Sequence, residues 1–525
     1  MVRVIALVAP FIALACAKPH AQRAMRVHER RDSPPTGYAN SGPAPATDTL
    51  DLRLALTQNN FQGLEDALYA VSTPGNPRYG QHLSKEEVEE LVAPSSDTVS
   101  AINEWLSSNG LTSSKVSPSG DWIAVNTTVE KANELLDADF STFTQLDSGT
   151  KAVRTLSYSI PASLKDHISF IHPTIAFPVK STIPPVTKLA LKTNLTASVR
   201  ANADDVPASC ETQVTPACLQ AQYGIPSAPA TQSSNTLAVS GFGGQFANLG
   251  DLQLFLQQFR PDLSSSTQFS VISVDNGQDS QDQAPGVEAS LDIDYTVGVA
   301  SGVPVIFVTV GDNTQDGIEG FLDQINALLS LDSPPQVLTT SFGFDEDQLP
   351  IDLATNLCNA YAQLGARGVS ILFSSGDGGV SGGQDQDCTT FIPDDAVSAY
   401  LQSLGGTNAG LFNASSRAFP DVAGPAENVI IAFEGGFGAV AGTSCASPIF
   451  SSVVALINDQ LIAAGKSPLG FLNPLIYQSP SAFNDITSGS NPGCNTNGFP
   501  TAPGWDPVTG FGSPNFNALK AAAGL

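Results

Sequence analysis

Four apolar runs in the middle of the chain do not alternate with polar residues, and that pattern permits few folds. They cover 236–239, 303–310, 336–341 and 369–374. Strands that are apolar at successive positions are buried on both faces. Between them lie stretches with apolar residues at helical spacing, at 249–259, 287–299, 318–331 and 353–364. Strand and helix in alternation predict a parallel sheet covered by helices, a doubly wound α/β unit. Reacting groups on such sheets gather at the carboxyl ends of the strands. The glycine-rich turn Ser374-Ser375-Gly376-Asp377-Gly378-Gly379 follows one run in that position.

The distribution of histidine then limits the chemistry. All five histidines lie at or before His172, so 173–525 contains none. Yet Gly442-Thr443-Ser444-Cys445-Ala446-Ser447-Pro448 looks like a serine nucleophile ahead of an apolar helix predicted at 446–464. A serine hydroxyl needs a base to take its proton. Without imidazole that base must be a carboxylate, which works in acid, where histidine is already protonated. The helix N-terminus behind Ser444 offers N–H groups and a favourable dipole to a developing oxyanion. The competing reading is a plain helix cap.

Candidate carboxylates are present. Glu288 and Asp292 stand four apart on a predicted helix, so they share a face. Like charges at that spacing weaken a helix, and a catalytic pair gives a reason for them: Glu288 accepts the serine proton and Asp292 holds Glu288. A solvated helix face is the alternative. Asp377, set among glycines, can donate to an oxyanion when protonated, or simply serve its turn. Asp485-Ile486 and Gly504-Trp505-Asp506 bracket a Gly/Asn/Pro-rich loop and supply hard oxygen ligands suited to calcium, though not at EF-hand spacing.

Charge and cysteine usage bear on compartment. Residues 201–525 hold 5 Lys+Arg against 31 Asp+Glu, so nearly all of the net −27 belongs there. Such a surface repels nucleic acid. Arg3, the apolar run 4–15 and Ala15-Cys16-Ala17 read as a secretory signal. Export favours disulfides among the six later cysteines, and Cys210 and Cys218 are close enough to close a small loop. Asn126, Asn194 and Asn413 begin glycosylation sequons. The expected organisation is a signal peptide at 1–17, a unit at 18–180 whose start to residue 48 is poorly ordered, a linker and processing region at 181–205, and the α/β unit at 206–525. Within the second unit, 61–71 and 85–91 read as helices, and 122–126 and 157–159 as strands. The expected product is secreted (an acid vacuole or lysosome-like compartment being the alternative), does not span a membrane, and is monomeric.

Together these pieces resemble the sedolisin family of serine-carboxyl peptidases. The resemblance rests on Glu288…Asp292, Ser375-Gly376-Asp377-Gly378-Gly379, Gly442-Thr443-Ser444…Ser447-Pro448 and Gly504-Trp505-Asp506-Pro507, in that order, with Pro74-Gly75-Asn76-Pro77-Arg78-Tyr79-Gly80 resembling the family's activation prodomain. It implies a subtilisin-like catalytic domain behind a ferredoxin-like α+β prodomain, which inhibits the enzyme and assists its folding. It implies Ser444 as nucleophile, Glu288 as base, Asp292 as its partner and Asp377 as oxyanion acid. It also implies one structural Ca2+ on the Asp485 and Asp506 carboxylates and the carbonyls of Ile486, Ala502 and Gly504, with Ala502 standing where a glycine is usual. Secreted fungal tripeptidyl peptidases look most similar, so the implied substrates are peptides and proteins with free N-termini. The family also contains endopeptidases, and no residue here excludes that mode.

One departure stands out. Between Asp377 and Ser444 the chain is several dozen residues shorter than the family pattern, which normally continues after Cys388…Pro393 into another cysteine, a strand and a glycine-rich substrate segment. The gap implies a sheet one strand short, an incomplete substrate wall and no partner for Cys388. A pseudopeptidase or a faulty gene model is the corresponding alternative.

Overall fold

A computed structural model describes residues 24–178, 190–191, 206–312, 314, 317–345, 348–382, 388, 398–414 and 417–525, with backbone alone at 190–191 and 398–399. The signal peptide and most of the 181–205 linker therefore lie outside the described residues.

The N-terminal part is built on a four-stranded antiparallel sheet. Its path runs β1 (Thr49–Leu56), three helices, α1 (Phe61–Ser72), Lys85–Val92 and Ser96–Ser108, then β2 (Ser114–Lys115), β3 (Trp122–Thr128), helix α2 (Val129–Leu136) and β4 (Ile168–His172). The spatial order is β2-β3-β1-β4. With Ser96–Ser108, whose Ile102, Trp105 and Leu106 join the sheet's core, as the first crossover helix, the course is β-α-β-β-α-β, the ferredoxin-like arrangement that the resemblance implies. Asn60 caps α1 through Gly63 N–H, and a Ser84/Glu87 capping box starts the helix Lys85–Val92. The expectation of a poorly ordered start is corrected. Met25–Arg30 pairs with Ser157–Pro161, and Tyr38–Pro43 pairs with Ser141–Gln145. Their Arg-, Ser- and Pro-rich composition resembles coil, but antiparallel pairing with later strands satisfies their backbone.

The C-terminal part holds a five-stranded parallel sheet. Its strands are β5 (Leu237–Gly241), β6 (Ser270–Val274), β7 (Val305–Val310), β8 (Val337–Thr340) and β9 (Ser370–Phe373), in the order β6-β7-β5-β8-β9. Leu237 stands opposite Val305 on one side and Val337 on the other. Leu237 and Val239 enter one apolar layer while Ala238 enters the other, so both faces of β5 are buried. Helices α3 (Leu249–Phe259) and α4 (Val287–Val299) cover the first face; α5 (Phe321–Ser330) and α6 (Ile351–Ala366) cover the second. The sheet is doubly wound as expected. An antiparallel hairpin, β10 (Val429–Phe433) and β11 (Gly436–Val440), leads into the long helix α7 (Thr443–Ala463). Ala190–Leu191 pairs with the outer edge of β11. Helix α7 is apolar and long enough to cross a bilayer, but it lies in the core against α4.

Each part has a hydrophobic core of its own, and further clusters span the two. Ala55, Trp122, Phe170 and Ala176 pack in the same cluster as Phe242, Phe321 and Leu353. Leu64, Leu68 and Val71 of α1 pack beside Ala366 at the end of α6. A buried ion pair, Arg53 with Asp323, crosses the boundary. Removing one partner of such a pair costs about 3–5 kcal/mol, because the other is left charged and buried.

Candidate active site

The candidate catalytic residues converge where α4 meets α7. Glu288 sits in the first turn of α4 and Asp292 one turn later; both are fully buried. Helix α7 begins at Thr443, so Ser444 lies inside its first turn rather than ahead of it. Asp377 reaches the same turn from the loop after β9. Its Oδ1 accepts Thr443 N–H at 2.6 Å and Thr443 Oγ1 at 2.8 Å. Thr443 Oγ1 in turn accepts Gly376 N–H at 3.0 Å. Gly442 makes this approach possible. Its φ is +147°, and a Cβ there would stand 2.6 Å from Asp377 Oδ2.

Five polar atoms of this cluster are buried with no partner at full hydrogen-bond geometry: both Glu288 carboxyl oxygens, Asp292 Oδ2, Asp377 Oδ2 and Ser444 Oγ, although the Ser444 and Ser341 hydroxyls stand close enough to Glu288 to act on its charge. Buried polar groups are nearly always paired, so this concentration marks a site kept ready for reacting groups. The electrostatics agree. Burial holds Glu288 well above the ordinary carboxyl range; Asp292, and then Asp377, push it further up, while the Ser444 and Ser341 hydroxyls draw it down. Burial also raises Asp292 strongly, against the pull of Ser341. The two carboxyls titrate as a pair. The neighbouring Cys445 thiol is pushed up by burial and then by Glu288, Asp377 and Asp292. Two coupled carboxyls that share one proton leave one carboxylate to accept the serine proton while the other stays protonated. Beside Asp377 and Thr443 opens a pocket of ≈ 320 Å³ with Phe419, Pro420, Asn491 and Val508 in its walls.

Residues 36–177 match the family described as Pro-kumamolisin, activation domain. Over 96% of this chain and 97% of the relative, the sequence is 33% identical to tripeptidyl-peptidase SED2 of Arthroderma otae. This chain belongs to the sedolisin family. Tripeptidyl-peptidase SED3 of the same organism is 33% identical over 94% of both chains. A solved Pseudomonas sedolisin, a serine-carboxyl proteinase complexed with pseudo-iodotyrostatin, is 22% identical, with a TM-score of 0.46 over 59% of this chain and 97% of that one.

Sequence reasoning missed two sedolisin site residues. Thr443 fastens Asp377 to the nucleophile's turn, and Ser341 Oγ donates to Asp292 Oδ1 at 2.9 Å. Ser341 directly follows β8, and the carboxyl end of a central parallel strand was the signal available for it.

Of the proposed calcium residues, Asp485 meets Gly504 and Asp506 meets Ala502. Asp485 Oδ2 accepts Gly504 N–H and Asp506 Oδ2 accepts Ala502 N–H, both at 2.9 Å, so one turn holds both carboxylates. Asp506 is fully buried, Asp485 is exposed and Ile486 half-buried. Gly504 has φ +87°, whereas Ala502 is not among the residues with positive φ, so alanine is unstrained there. Two carboxylates on one turn supply hard oxygen atoms, the donor type that a hard cation takes.

The shortened segment is only partly within the described residues. β9 ends the parallel sheet order, with Phe373 43% exposed. The SED2 alignment spans 584 positions, more than the 525 residues of this chain, so the relative carries segments that this sedolisin lacks. The expectation that Cys388 lacks a partner is corrected: it forms a disulfide with Cys494, beside the cluster of Tyr400, Phe499 and Trp505. The C-terminal loop brings Cys494 to it, a contact invisible in linear spacing. Cys210–Cys218 forms the expected small loop, while Cys358 and Cys445 remain thiols.

Proposed function

We propose that this protein is an acid-active serine-carboxyl peptidase, made as a zymogen, that removes tripeptides from free peptide N-termini. The observation that carries this is the buried convergence of Glu288, Asp292 and Ser444, in a region of sequence without histidine. Glu288 takes the Ser444 proton as the hydroxyl attacks a peptide carbonyl, and Asp292 steadies Glu288. Asp377, when protonated, donates to the oxyanion together with backbone N–H groups at the start of α7. The N-terminal part acts as inhibitor and folding aid until cleavage within 181–205. One structural calcium ion is held by the carboxylates of Asp485 and Asp506 and the carbonyls of Ile486, Ala502 and Gly504; it neutralises charge in that loop. The enzyme is secreted and monomeric, and its substrates are peptides and proteins.

The test is incubation near pH 4, where carboxylates act as bases, with calcium and a free-amine tripeptide amide, beside Ser444→Ala. Release of tripeptide by the wild type alone is the expected result; equal release by both overturns the proposal. Cleavage of an N-terminally blocked peptide would assign the endopeptidase mode instead.

A further inference from the structure

The nucleophile's helix has a gap in its hydrogen-bond ladder. Pro448 lies four residues after Ser444 and has no N–H to give to the Ser444 carbonyl. A side chain from elsewhere reaches that carbonyl: Ser341 Oγ, at 3.4 Å. The same hydroxyl is 2.9 Å from Asp292 Oδ1. Ser341 is fully buried at the end of β8, so no solvent competes for either contact.

A hydroxyl has one proton and rotates freely enough to choose its acceptor. The charge on the pair decides the choice, because the Ser341 hydroxyl acts on Glu288 as well as on Asp292. Toward a carboxylate the bond is charge-assisted and the stronger one, so the proton turns to Asp292. Once both carboxyls of the pair are protonated, the Asp292 O–H can point at Ser341 Oγ. The Ser341 proton is then released to the Ser444 carbonyl.

We propose that Ser341 is a positioning residue whose hydroxyl turns between Asp292 and the Ser444 carbonyl, linking the protonation of the carboxylate pair to the turn that carries the nucleophile. The inference rests on the catalytic reading of Glu288, Asp292 and Ser444. The other titratable groups facing the pair are Asp377, from the loop after β9, and Cys445, on α7. Ser341 is the group that touches both the pair and the nucleophile's backbone.

The test is the pH dependence of kcat and KM, with tripeptide release as the assay and Ser444→Ala as the blank. Ser341→Ala removes a donor that favours the charged pair, so the acid limb of kcat should move up by about one pH unit. At the acid end kcat should fall about tenfold, with KM unchanged. Ser341→Cys, a weaker donor, should fall between. Pro448→Ala restores a helix N–H to the Ser444 carbonyl, so the protonated state loses its advantage. Its acid limb should move the opposite way, toward lower pH. An acid limb that stays fixed in all three variants, with only thermal stability lowered, makes Ser341 merely structural and overturns the inference. If Ser341→Ala does not fold, the opposed shifts of Ser341→Cys and Pro448→Ala decide it. Absence of Ser444-dependent cleavage in the wild type overturns the catalytic reading, and this inference with it.

Discussion

The molecule keeps two groups of carboxylates in opposite conditions. At the meeting of α4 and α7, Glu288 and Asp292 are buried with three of their four oxygens lacking a partner at full hydrogen-bond geometry. In the C-terminal loop, Asp506 is equally buried but accepts from Ala502 N, Val508 N, Thr509 N and Thr509 Oγ1. Asp251 and Asp459 elsewhere follow the second pattern, each taking two backbone N–H groups. A ring of donors stabilises a carboxylate as an anion and fixes the loop around it. A carboxylate denied donors holds its proton and has a reason to exchange it. Burial alone does not separate the reactive acid from the structural one; the donors around it do.

The contrast can be broken most severely at the nucleophile. Ser444→Ala and Glu288→Gln should each lower kcat roughly ten-thousand-fold while leaving the fold intact, as circular dichroism would verify. Asp377→Ala should lower kcat by about a hundred- to a thousand-fold with little change in KM. Asp377→Asn, which keeps a donor in place, should lose less and lose it evenly across pH. A larger effect on KM than on kcat would remove Asp377 from the oxyanion role.

Asp506 should behave in the reverse way. Asp506→Ala orphans three half-buried N–H groups and should cost about 3 kcal/mol of stability in thermal unfolding. A chelator should lower the melting temperature of the wild type and leave that of the variant unchanged, if the loop binds calcium. Equal melting curves for wild type and variant would show that its donors matter less than their geometry implies.

The smallest effect concerns pH and stability. Glu288 is raised above its ordinary 4.5, so the folded chain keeps that proton longer than the unfolded chain. As pH rises past 4.5 the unfolded state releases its proton first, and stability falls between that value and the raised folded one. Glu288→Gln has no proton to release there. It should therefore be more stable than wild type near pH 7, by about 1 kcal/mol or more, and lose that advantage near pH 4. Thermal unfolding at the two pH values measures this directly, and the reverse pH order would mean that Glu288 is held as an anion.

Local periodicity is a good guide to α3 and α4, whose bounds match the expected 249–259 and 287–299. It is blind to β6, an edge strand whose residues 270, 271 and 273 are exposed and carry no buried pattern. It also misreads the first strands, because pairing partners more than a hundred residues away leave no local trace. The reactive acids can be found in sequence because like charges on one helix face need explaining. Thr443 and the Cys388–Cys494 disulfide cannot, since threonines and cysteines have many ordinary uses and only the fold shows which of them meet; Ser341 offers only the weak signal of its place after a buried strand.

The core cluster shared between the N- and C-terminal parts gives maturation a direction in time. While the chain is whole, Trp122 and Phe170 complete the layer over Phe242 and Phe321. If the N-terminal part leaves, as the proposed maturation requires, that layer loses members it cannot recruit again. An unfolded mature enzyme then faces a different folding problem from the one the precursor solved. Its working life becomes a matter of how slowly it unfolds rather than of equilibrium, and each molecule carries the record of a partner no longer attached.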